Sequence, residues 1–170
     1  MIISVEEAKK YIDTDMQDAV LESKLQALEL LIRRYTNNNF QDRRYRTIGD
    51  SYGKTIEVRD ASLFSIGDTV MVDSDLCVIE EINENVIKTN EMLFVADHCI
   101  VTKIVYPMDV KMGVVNMLKW DIENREKVCV QSETISRHSV TYFNMDGDNS
   151  TIGYPKILVG FLKPYMKARF

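Results

Sequence analysis

The sequence predicts an α+β fold: a helical core assembled from both chain ends, with a small antiparallel β module, an SH3-like barrel or a sandwich, inserted between them. Three observations predict it. Apolar residues recur at helical spacing before residue 36 and again after Pro107. Between these stretches, β-branched residues fall in short runs punctuated by turn residues. The 170 residues are 45% hydrophobic and 28% charged with only 7 Gly and 3 Pro, which suits an ordered domain with a sizeable core. The expected division is a helical core of residues 1–47 and 107–170, with the β module at 48–106.

Ser4 and Glu7 form an S-x-x-E capping box that starts a short helix near Val5, expected to end near Ile12. Asp13-Thr14-Asp15 then supplies turn and N-cap residues for a second helix. Its apolar face is Leu21, Leu25, Leu28, Ile32 and Tyr35, at steps of four, three, four and three. Asn37-Asn38-Asn39 ends it, because Asn is a poor helix interior and tolerates left-handed backbone. Residues 41–47 are mostly polar and are assigned no strand. Five strands follow at Thr55-Ile56-Glu57-Val58, Thr69-Val70-Met71-Val72, Cys77-Val78-Ile79, Val86-Ile87-Lys88-Thr89 and Ile100-Val101-Thr102-Lys103-Ile104-Val105. Gly67-Asp68, Asp73-Ser74-Asp75 and Asn83-Glu84-Asn85 mark turns between them.

Pro107 opens a third helix over 108–125, since it gives up a donor that would be unpaired at that position. Val110, Val114, Met117, Leu118 and Asp121 share one face, with Trp120 and Ile122 beside it. Residues 128–130 and 139–143 read as extended, and 144–153 as a polar loop. A final helix is expected from Pro155, burying Ile157, Leu158, Phe161 and Leu162 and stopping at Pro164.

The net charge of −5 is unevenly spread: −2 over residues 1–40, −5 over 41–106 and +2 over 107–170. A DNA-coating protein shows a basic stripe and a basic balance, which this chain lacks. Cys77, Cys99 and Cys129 are odd in number and widely spaced, so neither a zinc site nor a disulfide framework is expected. The opening Met-Ile-Ile-Ser-Val-Glu-Glu has no signal-peptide pattern, and no run approaches the length of a membrane span.

Catalytic and cofactor chemistry finds little support. His98 and Cys99 are neighbours on a strand and point to opposite faces. His138 lies in Ser-Arg-His-Ser without a carboxylate partner or a nucleophile elbow. The loop of Asn144, Met145, Asp146, Gly147, Asp148 and Asn149 resembles part of a calcium loop. Counted from Asn144, however, its sixth and twelfth positions are Asn149 and Pro155, where an EF-hand needs Gly and Glu. No phosphate-binding glycine pattern exists. No cofactor, metal or catalytic residue is therefore assigned. Arg33 and Arg34 read as cations complementing a helix C-terminus. Arg43, Arg44 and Arg46 read equally as a solvated cluster or as a contact for phosphates or an acidic neighbour. The end of the chain mixes Lys163, Lys167 and Arg169 with Tyr165 and Phe170, a composition found at protein interfaces and equally at frayed termini.

Three stretches resemble the head–tail connector (adaptor, or head-completion) proteins of long-tailed bacteriophages. They are Ile3-Ser4-Val5-Glu6-Glu7-Ala8-Lys9-Lys10-Tyr11-Ile12-Asp13 with the helix ending Ile32-Arg33-Arg34-Tyr35-Thr36; Tyr106-Pro107-Met108-Asp109-Val110-Lys111; and the stretch from Ser132 to Tyr142 with Gly153-Tyr154-Pro155 and the basic-aromatic end. Together they cover about two-thirds of the chain. Ser136 stands where similar sequences often have Gly, and many such adaptors lack a segment like 48–105.

The resemblance implies a non-enzymatic protein of the virion neck, assembled in the host cytoplasm. Copies would form a twelve-fold ring between the portal of the DNA-filled capsid and a stopper or tail-completion protein. The ring would extend the channel for passing DNA without sequence-specific binding. It implies a portal interface at Pro164, Tyr165, Met166, Lys167, Arg169 and Phe170. Asn144, Asp146, Gly147, Asp148 and Asn149 would face the next ring or the channel. The rival reading makes the β module a nucleic-acid-binding or regulatory unit.

Overall fold

In the computed structural model, residues 1–125, 132–135, 138–141 and 148–168 are described. The chain divides into two units, Met1–Asn38 with Tyr106–Phe170, and Asn39–Val105.

The unit of residues 39–105 holds six strands: β1 (Gln41–Tyr52), β2 (Thr55–Val58), β3 (Thr69–Val72), β4 (Asp75–Asn83), β5 (Val86–Thr89) and β6 (Ala96–Ile104). They close into an antiparallel barrel in the order β1-β2-β5-β4-β3-β6, with β6 returning to β1. Two-residue turns join Tyr52 to Thr55, Val72 to Asp75 and Asn83 to Val86. Their first residues Gly53, Asp73 and Glu84 take φ of 66°, 50° and 51°, the sense that matches the right-handed twist of the flanking strands. Ile56, Val58, Val70, Val72, Ile79, Ile87 and Val101 fill the interior. Leu93, in the β5–β6 connection, is buried with them, its amide donating to the Gly53 carbonyl at 2.8 Å.

This overturns the expected fold class. The principal architecture is a closed six-stranded antiparallel barrel accompanied by a few helices, not a helical core carrying a small β module. The difference comes from β1. Its first half, Gln-Asp-Arg-Arg-Tyr-Arg, shows no period of two because its register against β6 shifts between Gln41 and Arg46. With β1 counted, the sheet has the partner it needs to close, and the strands number six rather than five. Gly49 shows why the second half of β1 fits: a Cβ there would lie 2.6 Å from the Glu57 carbonyl oxygen and 2.9 Å from Val58 Cγ1. Only a residue without a side chain lets β2 approach.

The other unit contains α1 (Val5–Lys9), α2 (Asp18–Thr36) and α3 (Met108–Asn124). Ser4 Oγ accepts the Glu7 amide at 3.1 Å, the expected half of the capping box, but α1 stops at Lys9, short of Ile12. The α2 face is as expected at Leu21, Leu25, Leu28 and Ile32, all buried, and Asn37 caps it in left-handed backbone at φ 50°. In α3 the buried residues are Val110, Gly113, Val114, Val115, Met117 and Leu118. A Cβ on Gly113 would meet the Phe161 ring at 2.2–2.4 Å.

Two hairpins follow, β7 (Ser132–Ile135) with β8 (His138–Thr141), and β9 (Ser150–Thr151) with β10 (Tyr154–Pro155). The extended segment expected at 128–130 lies outside the described residues. The expected final helix is instead one α-turn, α4 (Lys156–Val159), continued by a 3₁₀ helix, Gly160–Tyr165. The tighter winding changes which residues face inward. Leu162 is buried as expected, but its eclipsed partner three residues earlier, Val159, is buried with it, whereas Ile157 is 87% exposed.

Candidate functional site

The sequence singles out the end of the chain, and within the helical unit this segment is built in detail. Pro164 and Tyr165 complete the 3₁₀ helix, and Met166 leaves it in extended backbone. The Lys167 amide donates to the Thr36 carbonyl at 2.8 Å, one of the last carbonyls of α2. The Asn37 side-chain amide donates to the Ala168 carbonyl at 2.8 Å, and that of Asn38 to the Tyr165 carbonyl at 3.0 Å. Tyr165 Oη donates to the Asp109 carboxylate, 2.8 Å from each oxygen, in the first turn of α3. This bond favours the protonated phenol and holds Tyr165 above the usual tyrosine range. The backbone of 165–168 is thus strapped to the C-terminal end of α2, while the Met166 and Lys167 side chains are exposed. Arg169 and Phe170, the remaining residues of the expected portal interface, lie outside the described residues.

Of the expected loop contacts, Asn144, Asp146 and Gly147 lie outside the described residues. Asp148 and Asn149 are exposed. The Asn149 carbonyl accepts the Lys156 amide at 2.9 Å, and the Asp148 carbonyl accepts Lys156 Nζ at 2.5 Å. The adjoining β9–β10 turn is clamped by Arg125, whose Nη1 donates to the Gly153 carbonyl at 3.1 Å. The Arg125 guanidinium also stacks 4.8 Å from the Tyr154 ring centroid and 5.1 Å from that of Trp120, and pairs with Asp121.

Arg43, Arg44 and Arg46 lie on β1 rather than on a connecting segment. Arg44 forks onto Asp42, with Nη2–Oδ2 at 2.8 Å and Nε–Oδ1 at 3.1 Å, and this bond holds the Asp42 carboxyl below its ordinary range. Arg46 Nε donates to Thr102 Oγ1 on β6 at 3.1 Å. Arg43 is exposed. The three cations therefore do not converge on one ligand position.

Cys99 is buried and His98 exposed, on opposite sides of β6, with His98 at φ 58° and its amide donating to Asp50 Oδ1 at 2.7 Å. Burial pushes the Cys77 thiol up to about 12, which removes thiolate chemistry at neutral pH. Among the described residues, no group of three or more His, Cys, Asp or Glu side chains is placed to hold a metal ion.

Sequence reasoning missed two surfaces. In the β5–β6 connection, Leu93 alone of the run Met92-Leu93-Phe94-Val95 turns inward; Phe94 is 80% exposed, and Met92 and Val95 are also exposed. Ser51 Oγ donates to the Phe94 carbonyl and fixes the segment beside Tyr52, itself exposed. In the helical unit a cavity of about 280 Å³ opens between Tyr35, Thr151, Val159 and Gly160, flanked by Lys156 and Lys163. The run of four apolar residues after Glu91 was the available signal for the first surface. The cavity had none, because it depends on the 3₁₀ winding after Val159.

Neither the model of any known protein family nor any curated protein matches the chain. No helix of the described residues is long and apolar enough to cross a membrane.

Proposed function

We propose that this protein is a structural component of a bacteriophage neck. Copies form a twelve-fold ring that joins the portal of the DNA-filled capsid to a stopper or tail-completion protein and carries the DNA channel onward. The observation that carries the reading is the strapped C-terminal segment. It belongs to the stretches that resemble phage connectors, and it presents Met166 and Lys167 outward from a backbone already fixed by Thr36, Asn37 and Asn38. A segment ordered before docking avoids the entropy that ordering on contact would cost. Arg169 and Phe170 extend the same basic-apolar pattern.

The rival reading, a nucleic-acid-binding barrel, has less support. Residues 41–106 carry 12 acidic and 7 basic side chains. Two of those cations are held at home, Arg44 by Asp42 and Lys103 by Asp68 at 2.6 Å. Passing DNA meets repulsion rather than a phosphate-binding stripe.

The test is co-sedimentation with portal-bearing capsids. Met166→Asp combined with Lys167→Glu keeps every backbone bond of the strap and is expected to abolish binding while the protein stays folded. Deletion of 164–170 should do the same. Undiminished capsid binding by the double variant would sink the tail assignment. A salt-sensitive complex with DNA in the absence of capsid would favour the rival.

A further inference from the structure

Phe94, Met92 and Val95 form an apolar knob on an acidic unit. Phe94 is 80%, Met92 74% and Val95 73% exposed. Isolated exposed apolar residues are ordinary, but three within four residues make a patch of the kind that marks an interface. The knob is not a loose loop. Leu93 anchors it in the barrel core, its amide bonded to Gly53, and Ser51 holds the Phe94 carbonyl. Its border is acidic, with Glu91 and Asp97 exposed on either side.

The helical unit carries the counterpart. The cavity beside Val159 and Gly160 measures about 280 Å³, larger than the cavity of about 150 Å³ that holds a benzene ring in a protein interior. Its floor includes Tyr35 and Val159, and Lys156 and Lys163 stand at its border, both exposed. An apolar knob bordered by carboxylates and an apolar cavity bordered by ammonium groups match in shape and in charge. The charge match is local to these borders: residues 41–106 carry −5, whereas the helical unit, −2 over 1–40 and +2 over 107–170, is neutral as a whole.

The geometry points to an interface between copies of this chain, in which Phe94 of one barrel seats in the Val159 cavity of the next copy, with Asp97 facing Lys163. The two surfaces are different, so the contact is heterologous and runs head to tail, the arrangement that closes into a ring when its rotation closes. This inference rests on the ring reading proposed above and names the surfaces that would build it. The aromatic knob supplies the buried anchor, and the charge pairs at its edge set register and partner choice.

The experiment measures self-association of the full chain by sedimentation velocity and native mass spectrometry. Phe94→Asp is expected to weaken association on the order of thirtyfold or more, the effect of losing one central anchor. Its exposure means that the fold should be unaffected, which a thermal melt checks. Asp97→Lys and Lys163→Glu should each fail to self-associate, because each sets like charges against one another. Mixing those two variants restores opposite charges at every contact and should recover association. A wild-type chain that stays monomeric at all concentrations, association that survives Phe94→Asp, or a mixture that does not recover overturns the interface. Capsid co-sedimentation run in parallel separates the two readings. Wild-type protein that associates through these residues but ignores portal-bearing capsids refutes the neck assignment alone. Wild-type protein that binds capsids but associates independently of these residues refutes the interface alone.

Discussion

In the barrel, each of the six strands has a bonded neighbour on both sides, and β6 returns to β1, so backbone satisfies backbone around the whole circuit. The helical unit is closed differently. Beyond the backbone bond from the Lys167 amide to the Thr36 carbonyl, side chains hold it: those of Asn37 and Asn38 donate to the Ala168 and Tyr165 carbonyls, and Tyr106 Oη donates to Glu29 at 2.6 Å. The lesson concerns what each unit can give up. The barrel depends on how closely its strands may approach, which a neighbouring side chain cannot repair. The helical unit depends on particular polar groups, each replaceable at modest cost.

The largest expected effects come from two glycines that set this contrast in one experiment. Gly49→Ala places a Cβ against the Glu57 carbonyl oxygen, which is backbone. The substitution should cost about 3 kcal/mol or more in urea unfolding. Trimming Val58 to Ala should not recover it. Gly113→Ala places a Cβ whose three nearest atoms all belong to the Phe161 ring, a side chain. Its cost should be about 1–3 kcal/mol, and Phe161→Leu should restore part of it, a coupling that a double-mutant cycle reads directly. Recovery of Gly49→Ala by Val58→Ala would break the comparison, because the barrel would then be limited by side chains too.

The buried polar pair of the helical unit ranks next. Glu29 is mostly buried, accepts from Tyr106 and pairs with the Met1 amine at 3.2 Å. Tyr106→Phe removes the donor and leaves a buried carboxylate short of one bond, at a cost of about 1–3 kcal/mol. Urea unfolding followed by Trp120 fluorescence, which reports this unit, should show the loss; an unchanged midpoint would mean that Glu29 finds another donor.

Alkaline pH probes both units at once. Burial, with the Glu29 carboxylate second, pushes the Tyr106 phenol up, and burial raises Tyr154 and Cys77 each to about 12. A folded pKa above the unfolded one gives stability that is fully present below the unfolded value and is lost as pH rises through the folded one. For Cys77 the window runs from 9.0 to about 12. Stability should therefore fall from pH 9.0 to about 12 in the barrel and from pH 10.0 to about 12 in the helical unit. Cys77→Ala should flatten the decline of the barrel, seen by amide exchange, and Tyr154→Phe that of the helical unit. Equal flattening of both by Cys77→Ala would show that the units do not unfold separately.

The two units also differed in how plainly the sequence announced them. The α2 face could be read because Leu21, Leu25, Leu28 and Ile32 keep one period through a single regular helix. At the chain end Leu162 lies inside, as an unbroken α-helix predicts, but Ile157 does not; winding that shifts at Gly160 turns Val159 inward in its place. In the barrel, β2, β3 and β5 matched their β-branched runs, but β1 hid behind a register shift that erases alternation. Misjudging that strand misjudged the fold class, since closure depends on it. The candidate site divided in the same way. The basic-aromatic end was visible as composition, yet its attachment through Asn37 and Asn38 was not, because those residues sit over 120 positions away from Tyr165 and Ala168 in sequence.

That attachment gives the smallest effect and the finest test of the contrast. Asn37→Ala with Asn38→Ala removes two side-chain donors to the strap but leaves the Lys167 amide bonded to Thr36. At about 1 kcal/mol per bond the strap is weakened by about 2 kcal/mol, but where it opens on its own the global midpoint should move less than in Tyr106→Phe. Asn37 also holds left-handed backbone, so Asn37→Gly with Asn38→Ala serves as the control that keeps the cap geometry. In either variant, amide exchange at Lys167 should accelerate about tenfold or more, while amides of β2 and β5 stay unchanged. Acceleration at Lys167 alone means that the strap opens as its own cooperative element, held by side chains and available to a partner. Matching acceleration in the barrel strands would mean that the strap and the barrel share one unfolding event, and the division between a backbone-closed and a side-chain-closed unit would no longer hold.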